Sequence, residues 1–244
     1  ALVSLFARAY HQKNKDIKIF DDLLSTKLIT EKEYEMFGLN MSQGISFFNP
    51  TFKGSEEEAL KWIVDHQLSP SVLVRSAFCK EAIEDKRQRC KDVDIENIQF
   101  LSIDLSQENW INTLLQGDYQ EDQLSISSML GLSYYLTKDE FKKMLKQLSK
   151  YLLKGSRLVF DYPSIQESKE TKINEMLAKE ADESMKAKYS FAELKEILNQ
   201  CHLTIIQHEN HQTVTEKYIS NYNAYYKDDP IKAPEGVCYC VVEK

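Results

Sequence analysis

Three strand-like runs end on residues that could line a ligand site. Residues 97–103 lead into Asp104-Leu105, residues 124–130 into Gly131, and residues 157–160 into Asp161-Tyr162. In an open α/β sheet, ligands bind beyond the carboxyl ends of the strands, so a site is expected at these three places. Familiar catalytic spacings are missing. His208-Glu-Asn-His211 has a spacing of three where a zinc protease needs four, and no further ligands accompany it. There is no phosphate-binding glycine loop. Gly131-Leu-Ser133 lacks the second glycine of a nucleophile elbow and reads as a buried turn. No single residue stands out as a general base.

The elements that must position these residues can be traced along the chain. Four capping boxes mark helix starts: Thr30 with Glu33, Ser55 with Glu58, Thr137 with Glu140, and Ser190 with Glu193. Ser69-Pro70 predicts a fifth start, with proline at the tolerated first position, and that helix carries Val72, Leu73, Arg75, Ala77 and Phe78. After Thr137, apolar residues at 141, 144, 145, 148, 151 and 152 trace one buried helix face, and Gly155 ends it. Strands are predicted over 97–103, 124–130, 157–161, 203–207 and 237–242. Strand–helix alternation implies a mostly parallel sheet with helices on both faces. The last two strands lack an evident helix between them and imply an antiparallel pair at the edge. Residues 164–189 read as a polar helical excursion. The connection holding Tyr218, Tyr222, Tyr225 and Tyr226 reads as a loop. Both could cap a substrate pocket or simply pack on the surface.

Composition sets the class. The chain has 244 residues, 31 Lys+Arg against 38 Asp+Glu, and a formal net charge of -7. With 42% apolar and 28% charged residues it reads as a foldable domain rather than a disordered or collagen-like chain. The acidic balance argues against nucleic acid. The cluster Lys86, Arg87, Arg89 and Lys91 is broken by Glu84, Asp85, Asp92 and Asp94 and reads as a solvated helix face. No apolar run reaches the ~20 residues of a membrane helix, and Ala1 opens no secretory pattern. Five cysteines without a CxxC fit the reduced thiols of a cytoplasmic protein. Oligomeric state is left open.

In order and spacing, several stretches together resemble one family. They are Ala7-Arg-Ala-Tyr-His11 with Phe20-Asp-Asp22, Leu68-Ser-Pro-Ser-Val-Leu-Val-Arg-Ser-Ala-Phe78, Ile103-Asp-Leu105 with Trp110, Leu130 to Leu136, and Gly155-Ser-Arg-Leu-Val-Phe-Asp-Tyr162. The chain resembles the leucine carboxyl methyltransferases and the related polyketide-type O-methyltransferases. The resemblance implies a Rossmann-like class I methyltransferase sheet with an antiparallel C-terminal edge strand. It also implies a helical N-terminal extension over 1–68, a catalytic domain over 69–244 and S-adenosylmethionine as cofactor. The acceptor would be a carboxylate or hydroxyl of a small molecule or peptide terminus.

The resemblance also implies roles for residues. Arg75 matches the arginine that holds the cofactor's carboxylate, a task suited to a guanidinium fork. It could instead pair with Glu81 or Asp85. Asp104 and Leu105 match the pair lining the adenine pocket, although Asp104 could be only a helix cap. Gly131 lies beside the methyl donor. Leu130 stands where the family usually has a glutamate, so one polar contact is lost. Tyr10 and Tyr134 fall near the acceptor.

A larger departure follows the Arg75 helix. The family pattern has a strand, a glycine-rich loop, a helix and a second strand ending in an acid. Here Lys80-Glu-Ala-Ile83 runs straight into Glu84-Asp-Lys-Arg-Gln-Arg-Cys90. A βαβ unit takes about 30 residues, so two central strands and the glycine-rich loop are absent from the chain. Either this sequence omits residues that the protein possesses, or a natural deletion has removed them and cofactor binding with them. In the second case the chain would be a non-catalytic binding protein on a decayed methyltransferase fold.

Overall fold

The computed structural model describes residues 2–89, 101, 103, 105, 107, 109–166, 171–173, 175, 176 and 184–244, with backbone alone for 82–89. The predicted strand at 97–103 and the sequence positions Cys90 and Asp104 lie outside the described residues. The chain divides into two compact units. The first is built from residues 1–78, 169–173 and 211–235, and the second from residues 79–168, 174–210 and 236–244.

The first unit is helical. It holds α1 (Leu2–Asn14), α2 (Ser25–Leu28), α3 (Glu31–Gln43), α4 (Ile45–Phe48) and α5 (Glu56–Ile63). The capping boxes at Thr30 and Ser55 both form, each side chain accepting from the N3 backbone N–H while the N3 glutamate reaches back. Phe6, Ala9, Tyr10, Ile29 and Val64 make its buried apolar cluster.

Ser69-Pro70 does not begin a separate helix. α5 continues through a π turn (Val64–Leu68) into α6 (Ser69–Arg89), and Ser69 N–H donates to Val64 O. Proline lacks a backbone N–H and crowds the preceding turn. A wider turn is one way for a helix to pass such a point without breaking. α6 is helical without interruption across Ile83-Glu84.

Residues 211–235 complete this unit, with α10 (His211–Val214), a π turn (Thr215–Ile219) and α11 (Ser220–Tyr225). Lys15 and Asp65 form an almost fully buried ion pair at 2.5 Å, and Lys61 bridges Asp65 and Asp229 at 3.2 and 2.7 Å. The Lys15 ammonium also stands 5.4 Å from the Tyr226 ring centre. Burial makes this pair costly to break from one side.

The second unit carries the sheet: β1 (Ile126–Met129), β2 (Arg157–Pro163), β3 (Thr204–Glu209) and β4 (Val237–Glu243), in the order β1-β2-β4-β3. Among the described residues α7 (Trp110–Gln116), α8 (Lys138–Tyr151) and α9 (Phe191–Gln200) accompany it. β1 and β2 are parallel, joined through α8. β4 is antiparallel to both β2 and β3.

The architecture is mixed α/β with an open sheet. Within it the C-terminal strand occupies an interior place and β3 takes the edge, one position different from the sequence expectation. The reason lies in the side chains. Val237-Cys-Tyr-Cys-Val-Val242 is apolar on both faces and buried throughout, which suits an interior strand. β3 alternates exposed and half-buried residues, which suits an edge.

The capping boxes at Thr137 and Ser190 also form. They start α8 and α9, whose Phe141, Leu145, Leu194 and Leu198 pack with Leu158, Phe160, Tyr162, Cys238, Cys240 and Val242 in one core.

Leu145 is wholly buried, whereas Lys146 beside it is exposed. Leu145→Ala should therefore cost about 2–5 kcal/mol of unfolding free energy, and Lys146→Ala less than about 0.5 kcal/mol. Urea unfolding of the two variants measures the difference.

Candidate cofactor site

The described part of the site is the turn that follows β1. The strand ends at Met129, whose partner in the parallel ladder is Phe160. Half-buried Leu130 follows, then Gly131 at φ +70°, a conformation glycine adopts without steric cost. A 3₁₀ turn (Ser133–Tyr135) leads on to α8.

β2 is longer than β1, so Asp161 reaches past the end of its shorter neighbour. Asp161 is wholly buried. Gly131 N–H donates to its Oδ1 at 2.6 Å, and the Tyr134 hydroxyl donates to its Oδ2 at 3.0 Å. Ser133 Oγ donates to the Asp161 carbonyl at 2.7 Å. From the other side, Lys186 N–H donates to the Tyr134 carbonyl at 2.8 Å. The turn is thus held through main-chain and side-chain bonds to β2 and to residue 186. Charge-assisted bonds of this kind are the stronger ones.

The other expected site residues distribute as follows. Leu105 packs on the core of the second unit and lines a surface groove of about 380 Å³ with Gln107 and the α8 residues Glu140, Lys143, Met144 and Gln147. Arg75 is half-buried on α6 in the first unit. Tyr10 is buried on α1 in the same unit, its ring 6.1 Å from that of Phe6. Burial and the nearby Asp65 carboxylate push the Tyr10 hydroxyl up to about 12, so it stays protonated. The structure brings Gly131 and Tyr134 together around Asp161. The sequence flagged Asp161 only as a strand end. The β1–β2 register that aims its carboxylate is not local, so spacing alone gives no signal for it.

The model of the leucine carboxyl methyltransferase family matches residues 1–93 and 83–149, more than half of the chain. The chain belongs to the leucine carboxyl methyltransferase family. Over 98% of its length it is also 25% identical to a Bacillus subtilis (strain 168) protein, YktD, by name an S-adenosyl-L-methionine-dependent methyltransferase, covering 95% of that protein. Two solved structures are similar at lower levels. A DUF574 family protein from Streptomyces avermitilis is 11% identical, with a TM-score of 0.49 and coverage of 99% of this chain and 97% of the other. Magnesium protoporphyrin IX methyltransferase from Synechocystis, solved with bound SAH, is 9% identical, with a TM-score of 0.36 and coverage of 98% and 93%.

This leucine carboxyl methyltransferase relative is an S-adenosylmethionine-dependent methyltransferase. In the second unit a buried carboxylate fixes a glycine turn at a strand end. The YktD match runs over 295 residues against the 244 of this chain, so at least 51 positions of the match have no counterpart here. The two stretches matched by the family model overlap at residues 83–93. This overlap falls where the sequence lacks the glycine-rich loop.

Next to Tyr10, His11 is 1% exposed, and its Nε2 accepts the Ile19 N–H at 3.0 Å. Burial, with Lys18 and Lys15 nearby, lowers it from 6.5 to about 3. The unfolded chain therefore takes up this proton first. The stability involved is intact above about pH 6.5 and is lost as pH falls from there toward 3. Relative to His11→Gln, the wild type should lose about 2 kcal/mol between pH 7 and pH 5, measured by urea unfolding at the two pH values.

Proposed function

We propose that the protein is an O-methyltransferase that transfers a methyl group to a carboxylate or hydroxyl of a small molecule or peptide terminus. The observation that carries this reading is the Gly131–Tyr135 turn held on buried Asp161 at the carboxyl end of β1, in a chain of this family. S-adenosylmethionine supplies a methyl group on a positively charged sulfur, activated for in-line displacement.

The chain's own residues then have mainly to bind and orient, because alignment of the reacting atoms dominates such a transfer. In this reading Arg75 takes the cofactor's carboxylate, Asp104 and Leu105 border the adenine, and Leu130 and Gly131 lie beside the methyl donor. Tyr10 and Tyr134 border the acceptor. The Tyr134 hydroxyl is engaged with Asp161, so Tyr134 offers an acceptor chiefly its ring. A carboxylate acceptor attacks without a general base, which agrees with the lack of an obvious one.

Among the described residues the free thiols of Cys79, Cys201, Cys238 and Cys240 support a cytoplasmic setting. Among the described residues no helix is long and apolar enough to cross a membrane.

Calorimetric titration with S-adenosylmethionine and S-adenosylhomocysteine tests the proposal. Micromolar binding is expected, weakened at least tenfold in Arg75→Ala and Asp104→Ala. Absence of binding at millimolar ligand would sink the enzymatic reading. It would favour a non-catalytic binding protein, in line with the positions missing relative to YktD.

A further inference from the structure

We propose that Asp161 is a positioning residue for the cofactor site: its buried carboxylate sets the shape of the Gly131–Tyr135 turn. The inference rests on the methyltransferase reading and adds to it a residue that the resemblance did not assign a role.

The argument begins with the sheet. Side chains alternate along β2, and Leu158, Phe160 and Tyr162 enter the core shared with α8 and α9. Asp161 therefore projects from the opposite face. At that level β1 has already ended, because Met129 faces Phe160 and the next residue leaves the ladder.

Both carboxylate oxygens have partners that belong to the turn. One takes the N–H of Gly131, the other the hydroxyl of Tyr134. A backbone amide and a phenol three residues apart are thus fixed by one rigid planar group. A purely structural carboxylate would be a poor choice in a wholly buried strand position, since a leucine of similar size would avoid burying a charge. The chemistry that rewards a carboxylate here is the need for two acceptors in one plane, aimed at a turn with glycine at φ +70°.

Asp161→Leu removes both acceptors and leaves the Gly131 N–H and the buried Tyr134 hydroxyl without them, so its melting temperature should fall. Its turn should loosen, leaving the Gly131 N–H without a partner. Asp161→Asn keeps one acceptor oxygen, and its amide can donate to the Tyr134 hydroxyl, so it should retain part of the wild-type behaviour.

The test uses the full chain and two readouts. Calorimetric titration with S-adenosylhomocysteine should show affinity falling in the order wild type, Asp161→Asn, Asp161→Leu, with about a tenfold or greater loss in the last. Amide hydrogen exchange should show faster exchange at residues 131–135 in Asp161→Leu, with β2 and β4 unchanged. A folded Asp161→Leu that binds within twofold of wild type overturns the proposal, whatever the exchange shows. So does unchanged exchange at residues 131–135. If Asp161→Leu fails to fold, Asp161→Asn carries the test, and wild-type affinity with wild-type exchange in that variant overturns it. A wild-type protein that binds neither S-adenosylhomocysteine nor S-adenosylmethionine overturns the cofactor reading and this inference together, whereas binding retained in the variants overturns the inference alone.

Discussion

β2 is buried from Arg157 to Pro163, and a strand in that position must satisfy its main-chain groups along both edges. β1 supplies one partner over four residue pairs and β4 the other over seven. Much of the second unit follows from this constraint. The parallel β1–β2 pair needs a crossover, which α8 provides. The antiparallel β2–β4 pair fixes which side chains meet, so that Leu158, Phe160 and Tyr162 share a core with Cys238, Cys240 and Val242. The same alternation sends Asp161 to the other face. A slip of one residue in the β1–β2 register would carry Asp161 into the apolar core and Phe160 out of it.

Local features were legible in the sequence, and non-local ones largely were not. The four capping boxes depend on residues three apart, and all four form. The buried face of α8 was readable from its 3.6-residue period, and β4 from a continuous run of apolar residues. The interior place of β4 was readable too, had its two-sided burial been weighed against the alternating pattern of β3. The π turn at Val64–Leu68 left no sequence mark beyond Pro70. The Lys15–Asp65 pair joins residues 50 apart, and the Gly131–Asp161 bond residues 30 apart. Neither follows from spacing, because each depends on how distant elements are brought into register. For the site, sequence pattern located the strand ends and the glycine but not the carboxylate that organises them.

The missing segment has a physical side. A βαβ unit at the middle of a parallel sheet supplies two strands that neighbouring strands need as partners. In this chain α6 passes Ile83-Glu84 as a continuous helix, and the described sheet has four strands. Among the described residues β1 is an edge strand that contains Ser127 and Ser128, and Ser128 Oγ lies 3.2 Å from the Cys79 thiol. Short strands and polar side chains make such an edge less prone to pair with another chain. The turn after β1 does not depend on that region, since its bonds run to β2 and to residue 186.

The order of strands along the chain differs from their order in the sheet, and this bears on how the protein is made. β4 lies between β2 and β3, yet both of those precede it in the sequence. During synthesis β2 and β3 emerge with no direct pairing to each other, each keeping an apolar or half-apolar edge open until β4 arrives to join them. The connection that leads to β4, residues 211–235, must meanwhile find its place among helices made much earlier. Neither unit can close in the order in which it is written, so the growing chain carries open strand edges from the making of β2 until β4 follows.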